Sequence, residues 1–323
     1  MYEFVKPITN KSMLTNSHYC NQTFTGVKYY LIYLCIELFV LVNRISKLPL
    51  IPLPPLGAND VALITGGLSG LGLELAKNLI SAHKIKHVFN LDIVAPKHEL
   101  GENVTFIKCD LASSQDVDFA LEQVFTQCKV MGPISVVINN AGVRVNGPLL
   151  SMSPKQVQKV FDINTFAPIR ILQLVISAHT ETFLPKRLSV VTVSSVLGAF
   201  GPKNLLTYSA SKAASTQFHE VLSRELASIP SIRMLLVLPG QMSTGMFSDV
   251  EQGRLFVAPI VDHVSLARTI LQKVNTGEEG IMCEPFYSNF GYALKALPWR
   301  LQQAVRSYTQ MDEKVKAQSE KNT

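Results

Sequence analysis

A doubly wound α/β domain on a parallel sheet, preceded by a hydrophobic N-terminal membrane segment, follows from three features of the 323-residue chain. From about residue 60 onward, short apolar runs alternate with stretches of helical period. That order implies parallel strands joined by right-handed crossovers. The run at 135–138 is apolar without alternation, as in a strand covered on both faces. The first strand also leads directly into a glycine-rich turn that opens a helix, a context that gives glycine spacing meaning.

The composition suits a folded protein with an affinity for apolar surroundings. Hydrophobic residues make up 47% and charged ones 17%, far from the regime of disordered chains. The net charge of +6 is spread along the sequence. No basic run is interleaved with aromatics, so nucleic acid is not expected as a partner. The five cysteines and seven histidines show no metal-ligand spacing, and no metal is expected. An odd number of thiols fits a reducing compartment.

Residues 1–26 form a polar tail. Residues 27–48 contain YYLIYLCIELFVLV, broken by Glu37. This run is shorter than the ~20 residues of a spanning helix, but Lys28 on one side and Arg44 and Lys47 on the other can mark two interfaces. The segment is read as membrane-associated, either spanning the bilayer or lying in its interface. A buried core helix is the competing reading. Residues 49–58, with Pro49, Pro52, Pro54 and Pro55, form a semi-rigid linker.

The catalytic domain is expected over 59–285. Its first strand, 60–65, ends on Thr65. Glycines at 66, 70 and 72, with Leu71 between the last two, let the backbone approach a pyrophosphate, and a helix at 73–80 offers free N–H groups to it. A second strand, 87–91, leads to Asp92, twenty residues after Gly72. An acid there can bind an adenosine ribose and repel a 2′-phosphate. No basic side chain occupies Leu68 or Ser69 or directly follows Asp92, so NAD is the expected cofactor and NADP the alternative. A third strand, 105–109, leads to Asp110 and Leu111, where the carboxylate could meet the adenine edge. After a helix at 114–129, the strand at 135–138 runs into Asn139-Asn140-Ala141-Gly142.

Ser153, Pro154 and Gln156 have the spacing of a capped helix start. That helix runs toward Thr180 with Asn164 and Pro168 inside it. The proline removes a donor and crowds the preceding turn, so the backbone near Asn164 should be disturbed, with carbonyls free for a water. A strand at 188–193 is followed by Ser194 and Ser195, then by a helix carrying Tyr208 and Lys212 to about residue 229. The strand at 234–238 ends at Pro239, Gly240 and, after a short gap, Thr244. In a parallel doubly wound sheet these strand-end residues converge on one edge, where ligands bind.

Tyr208 and Lys212 are four apart on a helix and share a face. A phenol titrates near ~10, and an adjacent ammonium favours its ionised form. A shift of ~2–3 units needs roughly 3–4 kcal/mol of differential interaction. Such a pair can serve as general acid and base for an alcohol or carbonyl.

Taken in order, Thr65–Gly72, Asp110, Asn139–Gly142, Asn164, Ser195, Tyr208, Lys212 and Pro239–Thr244 resemble the short-chain dehydrogenase/reductase family over roughly 60–285. The resemblance implies a Rossmann fold and a nicotinamide cofactor. It implies Tyr208 as general acid/base, Lys212 lowering its pKa and holding the nicotinamide ribose, Ser195 bonding the substrate oxygen, and Asn164 supporting a proton-relay water. Ser194 is read as a packing residue. A homodimer through the Asn164 and Tyr208 helices is usual for the family.

Residues 241–262 should form a lid with an apolar lining, followed by a helix at 264–276 and a last strand at 280–283. Residues 286–310 read as an aromatic amphipathic extension suited to a membrane interface, with packing onto the domain or onto a partner subunit as the competing reading. Residues 311–323 read as a charged, disordered tail. The hydrophobic N-terminus and the Leu-Pro-Trp tail resemble the membrane-bound retinol and hydroxysteroid dehydrogenase branch. The expected activity is hydride transfer between the nicotinamide and a lipophilic alcohol or ketone at a membrane. Endoplasmic reticulum or lipid droplet is the expected site, and a mitochondrial membrane the alternative. An NADPH-dependent ketone reductase of lipid synthesis and a non-catalytic dinucleotide-binding scaffold or tether are the competing functions.

Overall fold

A computed structural model describes residues 53–96, 101–250 and 259–315, with Leu34, Glu37, Leu38, Leu41 and Val42. The chain divides into two units, Met1–Leu48 and Pro49–Thr323. At the five described positions of the first unit the backbone is helical, and Leu34, Leu38, Leu41 and Val42 are exposed. The remainder of the expected membrane segment lies outside the described residues.

The second unit contains a seven-stranded sheet in the order 3-2-1-4-5-6-7, with every pairing parallel. Its strands are β1 (Val61–Thr65), β2 (His87–Asp92), β3 (Val104–Lys108), β4 (Ile134–Asn139), β5 (Leu188–Val193), β6 (Ile232–Pro239) and β7 (Gly280–Glu284). β1, β4, β5 and β6 are buried at every position, as in parallel strands covered on both faces. The connecting helices are α1 (Gly70–Ser81), α2 (Ser114–Met131), α3 (Pro154–Phe161), α4 (Ala167–Thr182), α5 (Leu206–Glu225) and α6 (His263–Thr276). One face of the sheet packs against α2, α4 and α5 through Leu121, Val124, Ile171, Val175 and Leu222. The other packs against α1 and α6 through Leu75, Leu79, Leu266 and Ile270.

Local chemistry accounts for the helix ends near the site. Ser153 and Gln156 form a capping box at α3, the serine hydroxyl accepting from the Gln156 N–H and the glutamine oxygen from the Ser153 N–H. A π-helical turn, Asp162–Phe166, joins α3 to α4. It is the disturbance expected one turn before Pro168, and it contains Asn164. α1 starts at Gly70, three residues before its expected start, so Leu71 and Gly72 belong to its first turn. β3 ends at Lys108, which leaves Asp110 in the following turn.

Among the described residues, one helical stretch is long and apolar enough to cross a membrane, Pro154–Thr182. It is half buried against the sheet and serves as core.

After β7, the 3-10 turn Phe286–Phe290, α7 (Gly291–Ala296) and α8 (Trp299–Thr309) fold back over the carboxyl edge of the sheet. The extension therefore packs onto the domain. The reading of 311–323 as disordered does not hold for 311–315. Val315 is 4% exposed and its carbonyl accepts from Asn204 Nδ2 at 2.7 Å. Asp312 accepts from the Lys203 N–H at 2.8 Å and pairs with Arg306 at the same distance. The Arg306 guanidinium stacks 4.5 Å over Phe200 and donates to the Gly201 carbonyl. A buried valine and paired charges give this stretch an anchorage that its composition conceals.

Candidate active site

The carboxyl ends of β1, β4, β5 and β6 converge where the fold predicts a ligand crevice. On the β1 side, Gly66 has φ +66°, a conformation that strains any residue with a Cβ. A Cβ on Gly72 would collide with the Gly66 carbonyl oxygen, so the first turn of α1 lies directly against the glycine turn. The turn is pinned from β2: the Gly67 N–H donates to Asn90 Oδ1 at 2.9 Å and the Leu68 N–H to Asp92 Oδ2 at 3.3 Å. Thr65 Oγ1 accepts from the Asn140 and Ala141 N–H groups, both at 3.1 Å. This ties the end of β1 to the Asn139–Gly142 turn. Thr244 precedes the 3-10 turn Gly245–Phe247, with its methyl group opposite Gly70.

Two other expected positions, Asp110 and Leu111, lie just beyond the end of β3. Leu111 is buried in the core, so any contact it makes with a nucleotide falls to its backbone. Asp110 accepts from the Ala112 N–H at 2.9 Å and shapes the turn after β3. Asn139, by contrast, is 3% exposed and neither atom of its amide has a partner. Such a group is costly unless something else bonds it. The glycine cradle, Gly142 set between the Asn164 and Lys212 side chains and this orphaned amide together fit a nicotinamide dinucleotide.

On the β5 side, Tyr208 and Lys212 are each 4% exposed, and Ser195 is 5% exposed. The Ser195 side chain accepts from the Leu197 N–H at 3.2 Å and lies near enough to the Tyr208 phenol to lower its pKa. Lys212 Nζ lies 5.9 Å from the Tyr208 ring centroid and donates to the Val193 carbonyl at 2.9 Å. Ser194 bonds the Lys212 carbonyl and Thr216, which is a packing role. Asn164 Oδ1 accepts from the Val143 N–H, and its Nδ2 donates to the Val143 carbonyl and to Ser211 Oγ, at 2.8, 2.8 and 2.9 Å. Its amide thus anchors the loop after β4 to α5.

Electrostatics modify the expected Tyr–Lys coupling. Burial pushes the Tyr208 phenol up to about 12, opposed by the Ser195 hydrogen bond and the positive field of Arg144. Burial also pulls Lys212 down to about 8. Desolvation is the largest cause of both shifts, and the Lys212 ammonium is engaged with the Val193 carbonyl.

Beyond Tyr208 lies a cavity of about 560 Å³. Ser195, Tyr208, Pro239 and Gly240 form its reactive end, and Leu205, Phe247, Phe290, Leu294, Val305 and Tyr308 supply much of its wall. The extension after β7 is therefore part of the site, which the sequence pattern did not indicate. Arg144 was also missed: it directly follows the Asn-Asn-Ala-Gly-Val turn, and nothing in the sequence ties it to its partners at 246–249. Among the described residues, no group of His, Cys, Asp and Glu could hold a metal ion.

The model of the short-chain dehydrogenase family matches residues 60–255. The chain belongs to that family. It is accordingly an NAD(P)-dependent oxidoreductase acting on CH–OH groups. It is 35% identical over 257 residues to the uncharacterized oxidoreductase TDA5 of Saccharomyces cerevisiae, covering 79% of this chain and 77% of that one. It is 33% identical over 199 residues to retinol dehydrogenase 8 of Bos taurus, covering 58% and 60% respectively. A short-chain dehydrogenase of Burkholderia cenocepacia solved in complex with NADP superposes with a TM-score of 0.63 at 22% identity, covering 79% of this chain and 98% of that one.

Proposed function

We propose that this dehydrogenase interconverts a secondary or allylic alcohol and its carbonyl in a lipophilic molecule of retinoid, steroid or lipid type, at a membrane and with NAD. The observation that carries this reading is the cavity. Its wall is mainly apolar, with Ser195 and Tyr208 at one end and Gln241, Thr309 and Lys314 among the few other polar lining residues. Burying apolar substrate surface there contributes ~25 cal/mol per Å². The similarity to retinol dehydrogenase 8 points the same way.

The bound nicotinamide supplies the hydride acceptor or donor. The chain's own residues manage the proton. In oxidation, Ser195 donates a hydrogen bond to the substrate oxygen, and Tyr208 Oη, as the phenolate, accepts the hydroxyl proton as the carbonyl forms. Because burial pushes the phenol up to about 12, rising pH favours this direction. In reduction, Tyr208 returns that proton to the oxygen. Lys212, held by Val193, faces the Tyr208 ring and the Gly142 surface, where it can bond a ribose. Main-chain carbonyls of the turn around Asn164 offer a water route toward Lys212. Asp92, at the end of β2 beside the glycine turn, favours a ribose without a 2′-phosphate. A non-catalytic scaffold would not need Ser195, Tyr208 and Lys212 in mutual register.

The extension carries exposed Phe286, Tyr292, Trp299, Leu301 and Tyr308, with Lys295 and Arg300 among them. This suits a lipid interface close to the cavity. Exposed Phe119, Phe166 and Val221 on α2, the π turn and α5 suit a homodimer through that side. The test is NAD reduction along a homologous series of secondary alcohols. The reading predicts kcat/KM rising about threefold to fourfold per added methylene until the cavity is filled, with Val305→Trp stopping the rise earlier. A flat series, or a preference for short polar alcohols, would rule out the lipophilic reading.

A further inference from the structure

Arg144 lies on the loop after β4, and its side chain is 10% exposed. Nε donates to the Met246 carbonyl at 2.6 Å. The two terminal nitrogens donate to Asn146 Oδ1 and Asp249 Oδ1, and Asn146 Nδ2 donates to Asp249 Oδ2 at 3.3 Å. The guanidinium plane stacks 4.8 Å over the Phe247 ring. That ring meets Tyr208 edge-on, with centroids 5.7 Å apart. One side chain from the nucleotide side of the sheet therefore grips three consecutive features of the segment after β6: a carbonyl, an aromatic face and a carboxylate.

We propose that Arg144 is a positioning residue, a latch that fixes residues 246–249 against the loop after β4 and so holds Phe247 edge-on to the proton-transferring Tyr208. This rests on the catalytic role proposed for Tyr208. A lysine could supply the charge but not the planar fork that bonds a carbonyl, an amide and a carboxylate at once. The latch has an electrostatic consequence. The charged or titratable groups around Tyr208 are Lys212 on its own helix, Arg144 from the β4 loop, Asp249 paired with Arg144, and Tyr287 and Lys314 on the cavity wall. Arg144 favours the phenolate, and Asp249 partly offsets it. Formation of the latch thus couples closure of the segment to the acidity of Tyr208.

The experiment replaces Tyr208 of the full chain with a fluorotyrosine, whose phenol titrates at lower pH than tyrosine. Its ¹⁹F shift is followed against pH, and amide hydrogen exchange is followed over 245–250. Arg144→Met should raise the titration midpoint by about one pH unit and speed exchange. Arg144→Lys should keep the midpoint near the wild-type value and still speed exchange. Asp249→Asn should speed exchange without raising the midpoint. An unchanged midpoint in Arg144→Met, or unchanged exchange in Asp249→Asn, would overturn the latch, and Asp249→Asn alone decides the matter if Arg144→Met does not fold. None of these readouts needs a substrate. Failure of the Tyr208 role itself would appear separately, as an active Tyr208→Phe enzyme.

Discussion

On the nucleotide side of Tyr208 the surface is made largely of main chain: the turn through Gly66 and Gly72, the N-terminus of α1, and the Asn139–Gly142 turn held by Thr65. On the substrate side it is made of side chains from scattered segments, Leu205, Phe247, Tyr287, Leu294, Val305 and Val315 among them. The contrast follows from what each side must accept. A pyrophosphate asks for close backbone approach and N–H donors, which few residue types and one spacing provide. An apolar substrate asks only for shape, which many residue combinations can supply.

The sharpest way to break the nucleotide side is Gly72→Ala. Its new Cβ would meet the Gly66 carbonyl and the turn must shift. A loss of NADH affinity of at least about 100-fold is expected from displaced backbone donors, read by fluorescence titration. Near-normal binding would mean the cradle does not hold the dinucleotide.

Lys212 joins the two sides and should cost stability. Its folded value of about 8 lies below the ordinary 10.5. The unfolded chain therefore holds the proton more tightly between those values. The penalty, up to about 3 kcal/mol, is complete below pH 8 and relieved as pH rises toward 10.5. Lys212→Met should thus raise Tm at pH 7, flatten the rise of stability between pH 8 and 10.5, and abolish turnover. A lower Tm would show that the Val193 hydrogen bond outweighs the desolvation.

The smallest effect is expected on the substrate side. Asp312→Ala removes a partly exposed pair with Arg306, a change of under about 1 kcal/mol. It should speed amide exchange over 299–315 and raise KM for long alcohols more than for short ones. Equal change for both would detach the 311–315 stretch from the cavity.

The same contrast explains what the sequence made legible. The parallel sheet, both helix layers, the capping box at Ser153 and the disturbed turn at Asn164 follow from local patterns, since apolar runs, caps and a proline act within a few residues. Tyr208, Lys212 and Ser195 meet because each lies on or just beyond a predictable element. Arg144 and Asp249 are 105 residues apart, and only the tertiary fold joins them. Packing of 286–315 onto the cavity was open in the same way: an amphipathic helix reads alike whether its apolar face meets lipid or protein. The rise of the Tyr208 phenol and the fall of Lys212 both come from burial, which side-chain spacing alone does not express.

Oxidation of a long-chain secondary alcohol by NAD, followed at 340 nm alongside NADH binding for the wild type and Tyr208→Phe, tests the assignment of the proton-transfer group most directly. Turnover in the wild type, a fall of about 10²–10⁴-fold in kcat for the variant and unchanged NADH affinity are the predicted result. A Tyr208→Phe enzyme that turns over at the wild-type rate would contradict it.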